Sequence, residues 1–181
     1  MINWNKLKKS IEGSKRIVLS THMNPDGDGL GSAVAMYHYI SSLDIDCKII
    51  QISKFPDQYK FLNKNNIIET YDMSEHDPWL DSADLALIFD IGAYNRLGQL
   101  GDVLTANKTK AINIDHHPNL NDERFYENYI NIEAAATGEM VYDFLEENNI
   151  NMNIAIARGI YTAVMTDTGS FRHSNTNQKS H

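Results

Sequence analysis

His22-Met23-Asn24-Pro25-Asp26-Gly27-Asp28-Gly29-Leu30-Gly31-Ser32 follows directly on the apolar run Ile17-Val18-Leu19-Ser20. One imidazole and two carboxylates thus sit on a Gly-rich turn between an expected strand and an expected helix, the repeating unit of an α/β fold. Glycines in such a turn let backbone N–H groups and a helix N-terminus approach an anion. Asp26 and Asp28 would repel that anion unless divalent cations lay between. The dinucleotide fingerprint G-x-G-x-x-G also fails, because the third glycine stands at 31 where the pattern needs 32. Two readings stay open on these residues alone: a cation-binding loop, or an acidic turn capping a helix that begins near Leu30, with Asp28 as its N-cap.

Outward from this stretch, a short amphipathic helix is expected over Trp4 to Ile11, and a helix over Leu30 to Leu43, with Leu30, Val34, Tyr37 and Ile40 at helical spacing. A second strand covers Cys47 to Ile52. Phe55 to Leu62 reads as a short helix and Asn63 to Asp81 as a mixed connection. Asp84-Leu85-Ala86-Leu87-Ile88-Phe89-Asp90 is continuously apolar between its acids, the pattern of a strand buried on both faces. Ala111-Ile112-Asn113-Ile114 is a further strand, and helices over Gly138 to Glu147 and Asn153 to Asp167 close the chain. The alternation predicts an α/β fold built on a mostly parallel sheet of about five strands, with helices on both faces.

The 181 residues suit one domain, 1–181, with ordinary hydrophobic (42%) and charged (22%) content and no repeat or low-complexity tract. Met1 to Arg16 lacks a signal-peptide core, nothing has the length of a membrane span, and the single Cys47 cannot form an internal disulfide. A cytoplasmic protein with no membrane partner is expected. A net charge of −8 argues against a large basic groove for long nucleic acids but leaves small phosphate substrates open, since bound cations would supply the attraction.

His22, Asp90 and Asp115-His116-His117-Pro118 each come directly after an expected strand, so an open α/β sheet would gather them along one edge. Asp90 reads as a loop acid or N-cap, or as a rigidly placed ligand bridging two metals. His116 and His117 point in different directions after their strand, so one can bind a metal while the other faces a substrate, with Asp115 orienting a ring. The alternative is a polar turn closed by Pro118. Asp167-Thr168-Gly169-Ser170-Phe171-Arg172 ends the last helix; Gly169 suits its C-cap, and an acid there opposes the helix dipole. Arg96 and Arg172 are candidates for phosphate contact or for solvated surface. His38, His76, His173 and His181 read as surface or structural. No H-E-x-x-H, paired C-x-x-C or G-x-S-x-G motif is present.

His22-x-x-Pro25-Asp26-x-Asp28-x-x-Gly31-Ser32, Asp90, Asp115-His116-His117-Pro118 and Asp167-Thr168-Gly169, in this order over residues 16–176, resemble the four motifs of the DHH phosphoesterases. That family includes RecJ-type exonucleases, family II inorganic pyrophosphatases, exopolyphosphatases, and enzymes that degrade very short RNAs and dephosphorylate 3′-phosphoadenosine 5′-phosphate. Arg96-Leu97-Gly98, Ala136-Thr137-Gly138-Glu139 and Thr168-Gly169-Ser170-Phe171-Arg172 are most similar to this last branch. The resemblance implies two divalent cations, Mn2+ first with Mg2+ as the alternative: His22 and Asp26 on one, Asp28, His116 and Asp167 on the other, and Asp90 bridging. It implies catalytic roles for Asp90, His117 at the scissile phosphate and Asp115 behind it, with Arg96, Ser170 and Arg172 as substrate contacts. Paired metals about 4 Å apart can hold a hydroxide for in-line attack on phosphorus, which is the expected mechanism.

The implied substrates are short oligonucleotides or a small phosphorylated nucleotide. Members of that branch continue into a smaller C-terminal domain, so the chain is expected to be the N-terminal domain of a longer protein, with that domain as a partner and weak activity alone. A pyrophosphatase or exopolyphosphatase, or a non-catalytic metal- and nucleotide-binding regulatory domain, are the rival readings. Oligomeric state stays open, a homodimer included.

Overall fold

The structure, a computed structural model, describes residues 2–118 and 122–181. Its continuous apolar runs lie at the centre of the sheet, where both faces are covered. All five residues of β4 (Leu85–Phe89) are buried, as are all of β1 (Arg16–Thr21) except Arg16. Around them stand β2 (Asp46–Gln51), β3 (Ile68–Thr70), β5 (Lys110–Asp115) and β6 (Glu127–Ile130). The six strands pair in parallel in the order β3-β2-β1-β4-β5-β6.

Among the described residues six α-helices cover the two faces, because odd and even positions of each strand feed separate cores. Ile17, Leu19, Leu87, Phe89 and Ile112 pack with α1 (Trp4–Glu12), α2 (Gly27–Ser41), α5 (Thr137–Glu147) and α6 (Ile154–Asp167). Val18, Ile50, Ala86 and Ile88 pack instead with Leu80 of α3 (Met73–Leu80) and Leu100 and Leu104 of α4 (Gln99–Ala106). Among the described residues no helix is long and apolar enough to cross a membrane.

The parallel α/β sheet matches the expectation, with differences at its margins. The two edge strands, β3 and β6, are three and four residues long and carry Glu69, Thr70, Glu127 and Asn128, so they show no apolar run to read. The connection 63–81 holds β3 and α3, α4 was not expected, and the helix expected over Phe55 to Leu62 is only a 3₁₀ turn at Asp57–Tyr59. Helix α2 begins at Gly27, three residues before Leu30. Its N-cap is Asp26, whose Oδ1 accepts from the N–H groups of Asp28 and Gly29. Asp28 lies one position inside the helix, fully buried, and is free of the duty that the capping reading gave it.

Two features of this architecture position a site. The strand order reverses between β1 and β4, the switch point where open α/β sheets bind ligands. Register then pairs Thr21 with Phe89 and Phe89 with Ile114, so His22, Asp90 and Asp115 stand side by side at the carboxyl edge. The three glycines of the opening stretch provide room. A Cβ on Gly27 would strike Thr166, one on Gly29 would strike Thr21, and one on Gly31 would strike the Gly159 carbonyl. None of the three has positive φ, so closeness of α2 to β1 and α6 is their role.

Candidate metal centre

His22 leaves β1 and turns its ring inward, with Nδ1 2.7 Å from the Met23 carbonyl. A carbonyl only accepts, so Nδ1 donates and the neutral ring carries its lone pair on Nε2. That Nε2 lies 3.6 Å from Asp26 Oδ2 and 3.6 Å from Asp90 Oδ2. His116 repeats the arrangement: Nδ1 donates to the Ala134 carbonyl at 3.2 Å, and Nε2 lies 3.7 Å from Asp28 Oδ2, Asp90 Oδ1 and Asp167 Oδ2 alike. These gaps are too long for hydrogen bonds. They fall within the span that donors on one cation can bridge through bonds of about 2.0–2.6 Å.

Three groups of potential ligands result: His22, Asp26 and Asp90; Asp28, His116 and Asp167; and Asp90, His116 and His117, with ligand atoms within 4.8 Å of one another in each. Asp90 belongs to the first and reaches His116 of the second, so the two triads share an edge. The donor set fits divalent cations on an observation of its own. His116 Nε2 and Asp90 Oδ1 are buried and make no hydrogen bond, although buried polar atoms rarely lack a partner. Carboxylate oxygens and imidazole nitrogens together suit Mn2+ or Mg2+ at the oxygen-rich end and Zn2+ at the other.

Electrostatics point the same way. Burial pushes the Asp28 carboxyl well above its ordinary range, the Asp90 charge adds to this, and N–H groups of Thr137 and Gly138 oppose it. Burial, with Asp90 and Asp26, likewise raises Asp167. At Asp90 burial works against the charge, but His117 and His22 outweigh it and hold the carboxyl below its ordinary value. Burial also opposes a proton on His22, yet Asp26 and Asp90 prevail and lift its pKa from 6.5 to about 9. Asp90 itself has φ +53°, a left-handed backbone that costs about 1–3 kcal/mol and is found where surrounding structure holds it. The holder is Asp115, whose Oδ2 accepts from the N–H groups of Ile91 (3.1 Å) and Gly92 (2.6 Å).

Residues 16–166 match the DHH family, N-terminal domain. The chain belongs to the DHH family. It is 28% identical to the bifunctional oligoribonuclease and PAP phosphatase NrnA of Thermus thermophilus, over 96% of this chain and 51% of that protein. It is 26% identical to the probable enzyme of the same name from Streptococcus mutans, over 99% of this chain and 54% of that one. A solved exopolyphosphatase-related protein from Bacteroides fragilis superposes with a TM-score of 0.90 at 28% identity, covering 97% of this chain and 53% of its own. The chain therefore spans about half the length of the relatives it matches.

The remaining expected residues of this DHH domain take distinct places. His117 lies half-exposed beside the triads, its Nδ1 2.9 Å from Asp115 Oδ1 and 3.3 Å from Asp90 Oδ1. Asp115 and Asp90 lift its pKa from 6.5 to about 10 against the effect of burial. Asp115 thus orients His117, while His116 is oriented by a backbone carbonyl. Arg96 donates from Nη1 to the Ile91 carbonyl (3.0 Å), and its own carbonyl accepts from Met23 N (2.9 Å), tying the His22 and Asp90 loops together. Ser170 and Arg172 lie exposed just beyond α6. There Gly169, at φ +57°, follows the cap Thr168; its N–H bonds to Thr166 and that of Ser170 to Met165, a Schellman motif whose cap stands one residue before the expected Gly169.

Several contacts at the site were not foreseen from sequence. Asp28 Oδ2 and Oδ1 accept from the N–H groups of Thr137 (2.7 Å) and Gly138 (2.8 Å). Asn175 Nδ2 reaches Asp167 Oδ2 at 3.2 Å and the Ala135 carbonyl at 2.9 Å. The Thr-Gly pair that opens α5 was visible as a motif, but backbone donors carry no side-chain signature. Asn175 sits in a polar tail that gave no sign of a partner.

Proposed function

We propose that this chain is the catalytic domain of a two-cation phosphoesterase acting on short oligonucleotides or on a small nucleotide such as 3′-phosphoadenosine 5′-phosphate. In this reading His22 and Asp26 hold one cation, Asp28, His116 and Asp167 the other, and Asp90 bridges. The observation that carries it is the shared edge: Asp90 faces His22 with Oδ2 and His116 with Oδ1, the latter buried without a hydrogen bond. The relatives named as oligoribonucleases and PAP phosphatases support the substrate class. Mn2+ is the first candidate, on the donor chemistry.

When bound, paired divalent cations polarise phosphoryl oxygens and make water acidic enough to act as a nucleophile at neutral pH. The chain's own residues do the rest. His117, held at Nδ1 by Asp115 with Nε2 left free among the described residues, can deliver a proton from that Nε2 to the departing oxygen. Asp115 keeps that ring and the Asp90 loop in fixed relation. Arg96, Ser170 and Arg172 are proposed as phosphate contacts on the rim; Arg96 Nη1 is engaged by Ile91, so its other N–H groups would serve.

The likeness to the exopolyphosphatase-related Bacteroides fragilis protein favours a second reading, phosphoanhydride cleavage at the same ligands. The purified chain loaded with Mn2+ is to be assayed on 3′-phosphoadenosine 5′-phosphate, di- to pentanucleotides, pyrophosphate and polyphosphate. Release from the nucleotides carries the first reading; release from pyrophosphate or polyphosphate alone carries the second. Metal uptake with no release from any of them, by this chain and by a two-domain version as long as its relatives, would favour the reading as a non-catalytic metal-binding domain.

A further inference from the structure

The two triads are built on different supports. His22, Asp26 and Asp90 are held by the loops that leave β1 and β4: the Met23 carbonyl on His22, the α2 N-cap role on Asp26, and Asp115 behind Asp90. The second triad has no such common strand edge. Asp28 belongs to α2, His116 to the turn after β5 and Asp167 to the last turn of α6, so their sequence neighbours cannot fix their mutual geometry.

One short segment does so instead. The Ala134 carbonyl accepts from His116 Nδ1 (3.2 Å), and Thr137 and Gly138 N–H groups grip the two oxygens of Asp28 (2.7 and 2.8 Å). The Ala135 carbonyl accepts from Asn175 Nδ2 (2.9 Å), which also reaches Asp167 Oδ2 and the Asp167 carbonyl at 3.2 Å each. Three oxygens around that nitrogen establish which way the amide points. Residues Ala134–Gly138 thus touch all three members of this triad, two directly and one through Asn175.

We propose that Ala134–Gly138, with Asn175, is a positioning frame dedicated to the second cation, so that its affinity is set separately from that of the first. This rests on the two-cation reading above. The orientation is carried by backbone groups, so a side-chain change at Thr137 leaves it intact while loss of the N–H does not. Thr137 is the first residue of α5, where proline is at home, and Ala136 before it is extended (φ −162°, ψ 159°), as a residue preceding proline must be. Thr137→Pro therefore suits the helix start but replaces one donor to Asp28 by a ring Cδ that pushes the carboxylate aside, and Thr137→Ala is its control.

The experiment is calorimetric titration of the whole chain with Mn2+, paired with electron paramagnetic resonance of free Mn2+. The parent chain should take two ions. In Thr137→Pro and Asn175→Ala one ion should bind as before and the other about 10–100-fold more weakly, the usual effect of losing a group that orients a ligand. Thr137→Ala should bind both as the parent does. Equal weakening of both ions, or none in either variant, overturns the proposal. If Thr137→Pro fails to fold, Asn175→Ala, at a half-buried position outside the helices, decides alone. A parent chain that takes up no Mn2+ overturns the two-cation reading and the frame with it, an outcome distinct from two normal ions in the variants.

Discussion

Gly31 and Gly159 face each other where α2 and α6 cross, so closely that a Cβ on Gly159 would lie 2.5 Å from the Gly31 carbonyl oxygen. That contact brings the first turn of α2, with Asp28, against the last turn of α6, with Asp167. Gly159→Ala should gain up to about 1 kcal/mol in helix propensity. It should lose about 1–3 kcal/mol or more to overpacking against backbone that cannot swing aside. The net is destabilisation, read as a lower urea midpoint, together with weaker binding of one Mn2+. An unmoved midpoint would refute the close-packing role.

Asp90→Asn should weaken both cations together, in contrast to the single-ion effect of Thr137→Pro. Neutralising the bridge leaves His22 and His116 each without one of their facing carboxylates. Mn2+ per chain, measured by elemental analysis after gel filtration, should drop for both sites. Unchanged content would mean that Asp90 does not bridge.

His117→Ala should keep both ions and lower turnover by about 10²–10⁴, the range for a lost general acid. The ring is half-exposed and is oriented by Asp115, which suits proton delivery. Loss of a metal in this variant would instead favour the overlapping group Asp90, His116 and His117 as a true ligand set.

His22 gives a pH dependence with a definite sign. With its pKa raised from 6.5 to about 9, the metal-free fold gains stability from the charged ring that is complete below 6.5 and disappears as pH rises through about 9. A cation needs the neutral ring, so Mn2+ binding near about pH 7.5 should expel a proton, and this release should fade above the raised pKa. Titrations in buffers of different ionisation enthalpy measure it. No buffer dependence at neutral pH would show that His22 is neutral beforehand or does not ligate.

The central strands and the candidate ligands were legible in the sequence because both depend on local chemistry. Leu85 to Phe89 is unbroken in its apolar character since both faces of β4 are covered, and His22, Asp90 and His116 each follow such a run. The edge strands were not legible, because three or four residues half-exposed at a sheet margin carry no period. The capping reading placed the α2 N-cap at Asp28, two residues late, for a similar reason: Asp26 and Asp28 both suit an N-cap, and only the backbone path decides which one accepts from the N–H groups.

The sequence by itself determined a parallel α/β sheet with imidazoles and carboxylates delivered to its carboxyl edge. Burial pattern and strand order in the chain follow from side-chain hydrophobicity alone. The tertiary structure decided which of those side chains face one another. That Asp26 faces His22 while Asp28 faces His116 depends on where α2 starts and on the glycine contact with α6. That Asp28 is gripped by Thr137 and Gly138, more than a hundred residues away, depends on backbone N–H groups. Every residue but proline carries such a group, so no letter in the sequence marks the ones that are used.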